Sequence, residues 1–85
     1  MTWGLVIANP AVRQLRRVPL DDRTRIKFAF EEMLTDPFGG DVKPLAGAEG
    51  HLRRRIGDWR IFFELLPEQR LIVVKAVKRR GSKTY

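Results

Sequence analysis

The sequence has no cysteine, so neither a disulfide framework nor a thiol nucleophile is expected. No apolar run approaches the roughly 20 residues that a membrane span needs, and the N-terminus lacks the basic-then-apolar pattern of a signal peptide. A cytoplasmic location is the plain expectation, with no membrane as partner. Acidic residues are scarce: 10 Asp and Glu stand against 17 Lys and Arg, a formal charge of +7. An excess of that size points toward nucleic acid, an anionic membrane surface or an acidic protein partner. There is one histidine, His51, placed just ahead of a predicted strand and read as a surface residue and not a general base. No group of side chains has metal-ligand spacing, so neither a metal nor a small-molecule cofactor is expected.

What remains is 85 residues, 44% of them apolar, enough for one core and a single domain over 1–85. Thr2 to Ala8 alternates weakly and predicts a short strand. Asn9-Pro10 then signals a helix start, with Asn9 as cap and Pro10 at the first helical position. Ala11, Val12 and Leu15 form the stripe of that short helix, which Pro19 ends. Asp21 or Asp22 is the expected cap of a second helix. Its Ile26, Ala29, Phe30, Met33 and Leu34 recur at the spacing of one buried face. Asp36-Pro37-Phe38-Gly39-Gly40 breaks it, and Asp41 to Gly50 reads as a loop.

The most informative stretch is Arg53-Arg54-Arg55-Ile56-Gly57-Asp58-Trp59-Arg60-Ile61-Phe62-Phe63. Gly57-Asp58 between two apolar-rich runs predicts a two-residue hairpin. In that register Ile56 faces Trp59, Arg55 faces Arg60 and Arg53 faces Phe62. Alternation then puts Arg53, Arg55, Arg60 and Phe62 on one side of the sheet, with Trp59, Ile61, Phe63 and Leu65 on the other. Two arginines placed opposite each other repel, an arrangement suited to holding an anion between them. The guanidinium fork matches phosphate.

Pro67-Glu68-Gln69 turns the chain into a last strand from Arg70 to Val77, β-branched at 72, 73, 74 and 77 and apolar on both faces, as expected between two neighbours. A basic tail, Lys78-Arg79-Arg80-Gly81-Ser82-Lys83-Thr84-Tyr85, follows. The predicted class is therefore α+β: a β-α-α-β-β-β two-layer domain, its sheet mostly antiparallel, with a helical hairpin packed on one face.

This order of elements resembles the RelE/ParE superfamily of toxins from type II toxin–antitoxin modules. The resemblance is carried by Leu45-Ala46-Gly47, by the run from Gly50 through Arg53-Arg54-Arg55-Ile56-Gly57-Asp58-Trp59-Arg60-Ile61 to Glu64, and by the Lys78-Arg79-Arg80 and Tyr85 tail. It covers essentially the whole chain. The RelE branch implies a ribosome-dependent mRNA interferase, an endoribonuclease acting in the 30S A site. The ParE branch implies a DNA gyrase inhibitor. Carried over from RelE-like members, the catalytic set falls on Arg53, Arg55, Arg60, Arg79 and Tyr85, with further RNA contacts expected from Arg54, Lys78, Arg80 and Lys83. In the resemblance the second strand carries Arg in place of Lys, as in some members, and arginine's high pKa suits charge stabilisation better than proton transfer.

The implied chemistry needs no metal. The RNA 2′-hydroxyl attacks the adjacent phosphorus while cations stabilise the added charge, and Tyr85 stacks on a base or takes the proton. The implied partners are the ribosome, mRNA and a cognate antitoxin. The alternatives are a gyrase inhibitor, or a non-catalytic basic module that binds RNA or antitoxin. The catalytic reading requires Arg55, Arg60 and Arg79 on one exposed face.

Overall fold

The β-branched strand near the C-terminus lies inside the sheet, with a hydrogen-bonded neighbour on either side. In the computed structural model, which describes residues 2–79, the elements are β1 (Gly4–Ile7), α1 (Asn9–Arg16), α2 (Leu20–Met33), β2 (Asp41–Pro44), β3 (His51–Ile56), β4 (Trp59–Leu66) and β5 (Leu71–Arg79). They form one five-stranded sheet in the order β1-β5-β4-β3-β2. Only β1 runs parallel to its neighbour, β5; the β2–β3, β3–β4 and β4–β5 pairs are antiparallel. Between β4 and β5, a 3₁₀ turn over Pro67–Gln69 closes on Arg70, whose φ of 50° reverses the chain.

Both helices cover one face of this sheet. Ala11 of α1, Val18 between the helices, and Ile26 and Met33 of α2 meet Leu52, Ile61, Phe63, Leu65, Ile72, Val74 and Val77 of the strands in one buried cluster. Phe63 is fully buried at its centre, and burying a side chain of that kind contributes about 1.5–3 kcal/mol. Gln14 ties α1 to the sheet, its Oε1 accepting a 2.6 Å hydrogen bond from the backbone N–H of Val77. The α2 stripe is as predicted at Ile26, Ala29 and Met33, while Phe30 and Leu34 are half-buried at its margin.

The sequence reading needs three corrections. Asp41–Pro44 is a strand, so the sheet has five strands and not four. Its proline and flanking glycines read as loop, but an edge strand tolerates proline at its end, where no ladder bond is lost. Ala8, not Asn9, precedes the first helical residue; Pro10 still sits in the first turn, where its missing N–H costs nothing. Likewise Pro19 precedes α2, and Asp21 and Asp22 lie within its first turn, where they suit the helix dipole without capping.

The β3–β4 hairpin has the predicted register, with Ile56 opposite Trp59, Arg55 opposite Arg60 and Arg53 opposite Phe62. Gly57 takes φ 57°, and no other residue of the two-residue turn has a positive φ, the pattern of a turn with glycine at its first central position. The β4–β5 pairing contains a bulge. Phe62 pairs with Ala76 but Phe63 pairs with Val74, leaving Lys75 as an extra residue on β5. Because strand side chains alternate, one extra residue reverses which face every later side chain of β5 takes.

Candidate nucleic-acid interface

Directly paired residues in an antiparallel sheet lie on the same face, about 5 Å apart. The registers therefore trace continuous rows across the strands. One row on the face away from the helices runs Asp41, Arg55, Arg60, Lys78. The next runs Lys43, Arg53, Phe62, Ala76. Two guanidiniums and an ammonium thus stand side by side with one carboxylate at the edge, and Arg53 and Lys43 sit beside them.

Asp41 is central to the electrostatics. Its carboxylate lies 3.5 Å from Nε of Arg55 and 3.9 Å from the head of Arg53. These are loose ion pairs, longer than the ~2.7–2.9 Å of a charge-assisted hydrogen bond. Arg60 is different. Among the described residues it forms no ion pair, its Nε is buried with no hydrogen-bond partner, and its row neighbours are Arg55 and Lys78. Lys78 lies 6.0 Å from the centre of the Phe62 ring, at the outer limit of a cation–π contact. Further along the same face, Glu64 is 3.8 Å from His51 and 3.9 Å from Lys75. His51 is the first residue of β3, half-buried, and not a loop residue ahead of it.

The structure thus brings Arg53, Arg55, Arg60 and Lys78 together. It separates Arg54 and Arg79 from them. Arg54 was expected among the RNA contacts, but it is 8% exposed and lies under α2. Its head donates to Glu32 Oε1 at 2.6 Å and reaches the carbonyl of Ala29 at 3.5 Å. The alternation that turns Arg53 and Arg55 outward turns Arg54 inward, and Glu32 makes that position habitable. Arg79 was expected beside Arg55 and Arg60 on one exposed face, and that requirement of the five-residue catalytic set is not met: Arg79 pairs with Trp59 on the helix-covered face. Its guanidinium lies 5.7 Å over the indole ring. Trp59 in turn donates from Nε1 to Asp22 at 3.0 Å. The cause is the bulge: the extra Lys75 turns Val77 into the core and Lys78 outward, so Lys78 stands where Arg79 was expected. Arg80, Lys83 and Tyr85 lie outside the described residues.

Asp41 and Lys43 were missed, because the segment that carries them was read as a loop. The signal available was the alternation of Val42 between two charged neighbours. Among the described residues, no three His, Asp or Glu side chains gather in a metal-holding group.

No family model matches the chain. It is 26% identical over 83 residues, 94% of its own length and 92% of the other's, to a protein of Methanocaldococcus jannaschii named for a toxin, RelE1. The toxin–antitoxin complex RelB–RelE from Methanococcus jannaschii contains a chain of 27% identity that superposes with a TM-score of 0.75, over 87% of this chain and 88% of that one. By sequence and by fold the chain is similar to RelE toxins. The fold match is stronger still with the archaeal RelE–RelB complex from Pyrococcus horikoshii OT3, at a TM-score of 0.85 and 24% identity over 95% of this chain and 98% of that one. Two helices on a mostly antiparallel five-stranded sheet is thus a RelE fold. In this chain the sheet face left bare by the helices is the one that carries the cationic row.

Proposed function

We propose that this chain is the toxin of a type II toxin–antitoxin module and acts as a ribosome-dependent mRNA interferase. One observation carries the reading: Arg55, Arg60 and Lys78 form one row on the helix-free face, with the buried Nε of Arg60 lacking a hydrogen-bond partner among the described residues. A row of three neighbouring cations with a single carboxylate at its edge is costly unless a further anion occupies it, and a sugar-phosphate backbone supplies anions in series.

In the proposed reaction the 2′-oxygen forms a bond to the adjacent phosphorus and gives up its proton. The bond to the 5′-oxygen breaks, that oxygen takes a proton, and a 2′,3′-cyclic phosphate remains. Arg55 and Arg60 clamp the phosphate and stabilise the charge that develops on its oxygens, a preorganised electrostatic contribution. Arg53, beside Phe62, holds a neighbouring phosphate. In this reading Lys78 replaces Arg79 as the third cation of the face, and Arg79 is left out of the catalytic set. Tyr85 is assigned by the resemblance, as base or stacking partner. Arginines are poor proton carriers, so the ribosome supplies much of the substrate alignment and the isolated protein cuts free RNA weakly. The site of action is then the cytoplasm.

The proposed partner is an antitoxin with an acidic binding segment, in keeping with the +7 charge and with the toxin–antitoxin complexes in which RelE chains of the same fold occur. The test is to add purified protein to a translating extract and map messenger 5′ ends. Cleavage that depends on translation is expected. Intact messenger, together with inhibition of purified gyrase supercoiling, would replace this reading with that of a gyrase inhibitor.

A further inference from the structure

One member of the cationic row has the opposite sign. Asp41 lies on edge strand β2, in register with Arg55, and its carboxylate spans both Arg55 and Arg53, at 3.5 and 3.9 Å. Its side chain is 46% exposed, and that of Arg53 only 15%. Against Arg53 the carboxylate is therefore the movable partner, while Arg55, 41% exposed, is about as free as Asp41. An edge strand has one hydrogen-bonded neighbour, so Asp41 can swing outward without disturbing the core. Its charge and its two oxygens are those of a phosphodiester. It also accounts for Arg55 and Arg60 standing opposite each other, because it draws the head of Arg55 toward β2 and away from Arg60.

We propose that Asp41 is a built-in stand-in for a phosphate, holding Arg53 and Arg55 in place in the free protein and yielding them when a phosphate group binds between Arg55 and Arg60. The residue has two consequences of opposite sign. It preorganises the two guanidiniums, and it competes with the incoming anion. The proposal rests on the helix-free face being a phosphate-binding face and not on RNA cleavage, so the two can fail separately.

The experiment is a titration of the full chain with inorganic pyrophosphate at low salt, comparing Asp41→Asn with Glu68→Gln. The latter removes the same charge from the exposed turn after β4, at the far end of that strand from Arg60. Asp41→Asn is expected to tighten binding by about three- to tenfold, the size expected when two partly exposed ion pairs no longer compete. Glu68→Gln is expected to change it by less than about twofold, since a distant charge is screened. In the wild-type protein the carboxyl carbon resonance of Asp41 is expected to move as pyrophosphate is added. Equal effects of the two variants, unchanged or weaker binding by Asp41→Asn, a stationary Asp41 resonance, or no pyrophosphate binding at all would each overturn the proposal.

Discussion

Arg54 and Arg60 sit on neighbouring strands, one on each face of the same sheet, and the same side chain has opposite fates there. Arg54 is roofed by α2 and its head is bound to Glu32 at 2.6 Å. Arg60 is flanked by two cations. Both have a buried Nε without a partner, so an orphaned donor does not by itself distinguish them. The guanidinium heads do. One is neutralised within the fold, and the other has no ion-pair partner among the described residues. Net charge is therefore a poor guide to a binding site until each cation is assigned to a face.

The comparison breaks most sharply at Arg60. Arg60→Ala is expected to lower translation-dependent cleavage by about 10²–10³-fold, the usual loss for one preorganised charge-stabilising donor, with thermal stability unchanged or raised. A variant that loses thermal stability but whose folded fraction still cuts at the wild-type rate would show that Arg60 is structural. Arg54→Ala should behave in the opposite way. It empties a buried site and removes a charged hydrogen bond, for a loss of about 2–4 kcal/mol in urea unfolding, while RNA affinity of the folded fraction changes little.

A finer test lies at Gly40, whose φ is +80° and where a Cβ would come within 2.9 Å of the guanidinium carbon and two nitrogens of Arg54. Gly40→Ala should cost about 1–3 kcal/mol. The cost should shrink when combined with Arg54→Met, because the two changes share one contact. Additive losses would mean that backbone strain alone sets the value. The smallest expected effect concerns the bulge. Lys78→Ala should flatten the salt dependence of single-stranded RNA binding by about 0.7, the slope of one phosphate contact, and Arg79→Ala should leave it nearly unchanged. The reverse result would place Arg79, and not Lys78, on the binding face.

Much of this was readable in the chain. The hairpin register followed from Gly57-Asp58 and two-residue alternation, and the observed pairs of Arg55 with Arg60 and Arg53 with Phe62 match it. Alternation also implied that Arg54 points inward, but its charge led to an RNA role, because the acid that compensates it, Glu32, is 22 residues away and on another element. Asp41 was hidden in a segment whose Pro44 and glycines suggested loop. Only pairing with β3 makes a strand of it.

The two-layer class, the buried stripe of α2 and the basic hairpin were determined by the sequence itself, since they depend on periodicities of 3.6 and 2 that are local in the chain. Which cations share a face was decided by the tertiary structure. Strict alternation from Ile72 and Val74 would have sent Lys78 into the core. Placing Lys75 in a bulge buries Val77 instead and brings Lys78 out beside Arg60. That choice depends on the packing of β5 against β4 and α1, which no stretch of sequence expresses alone.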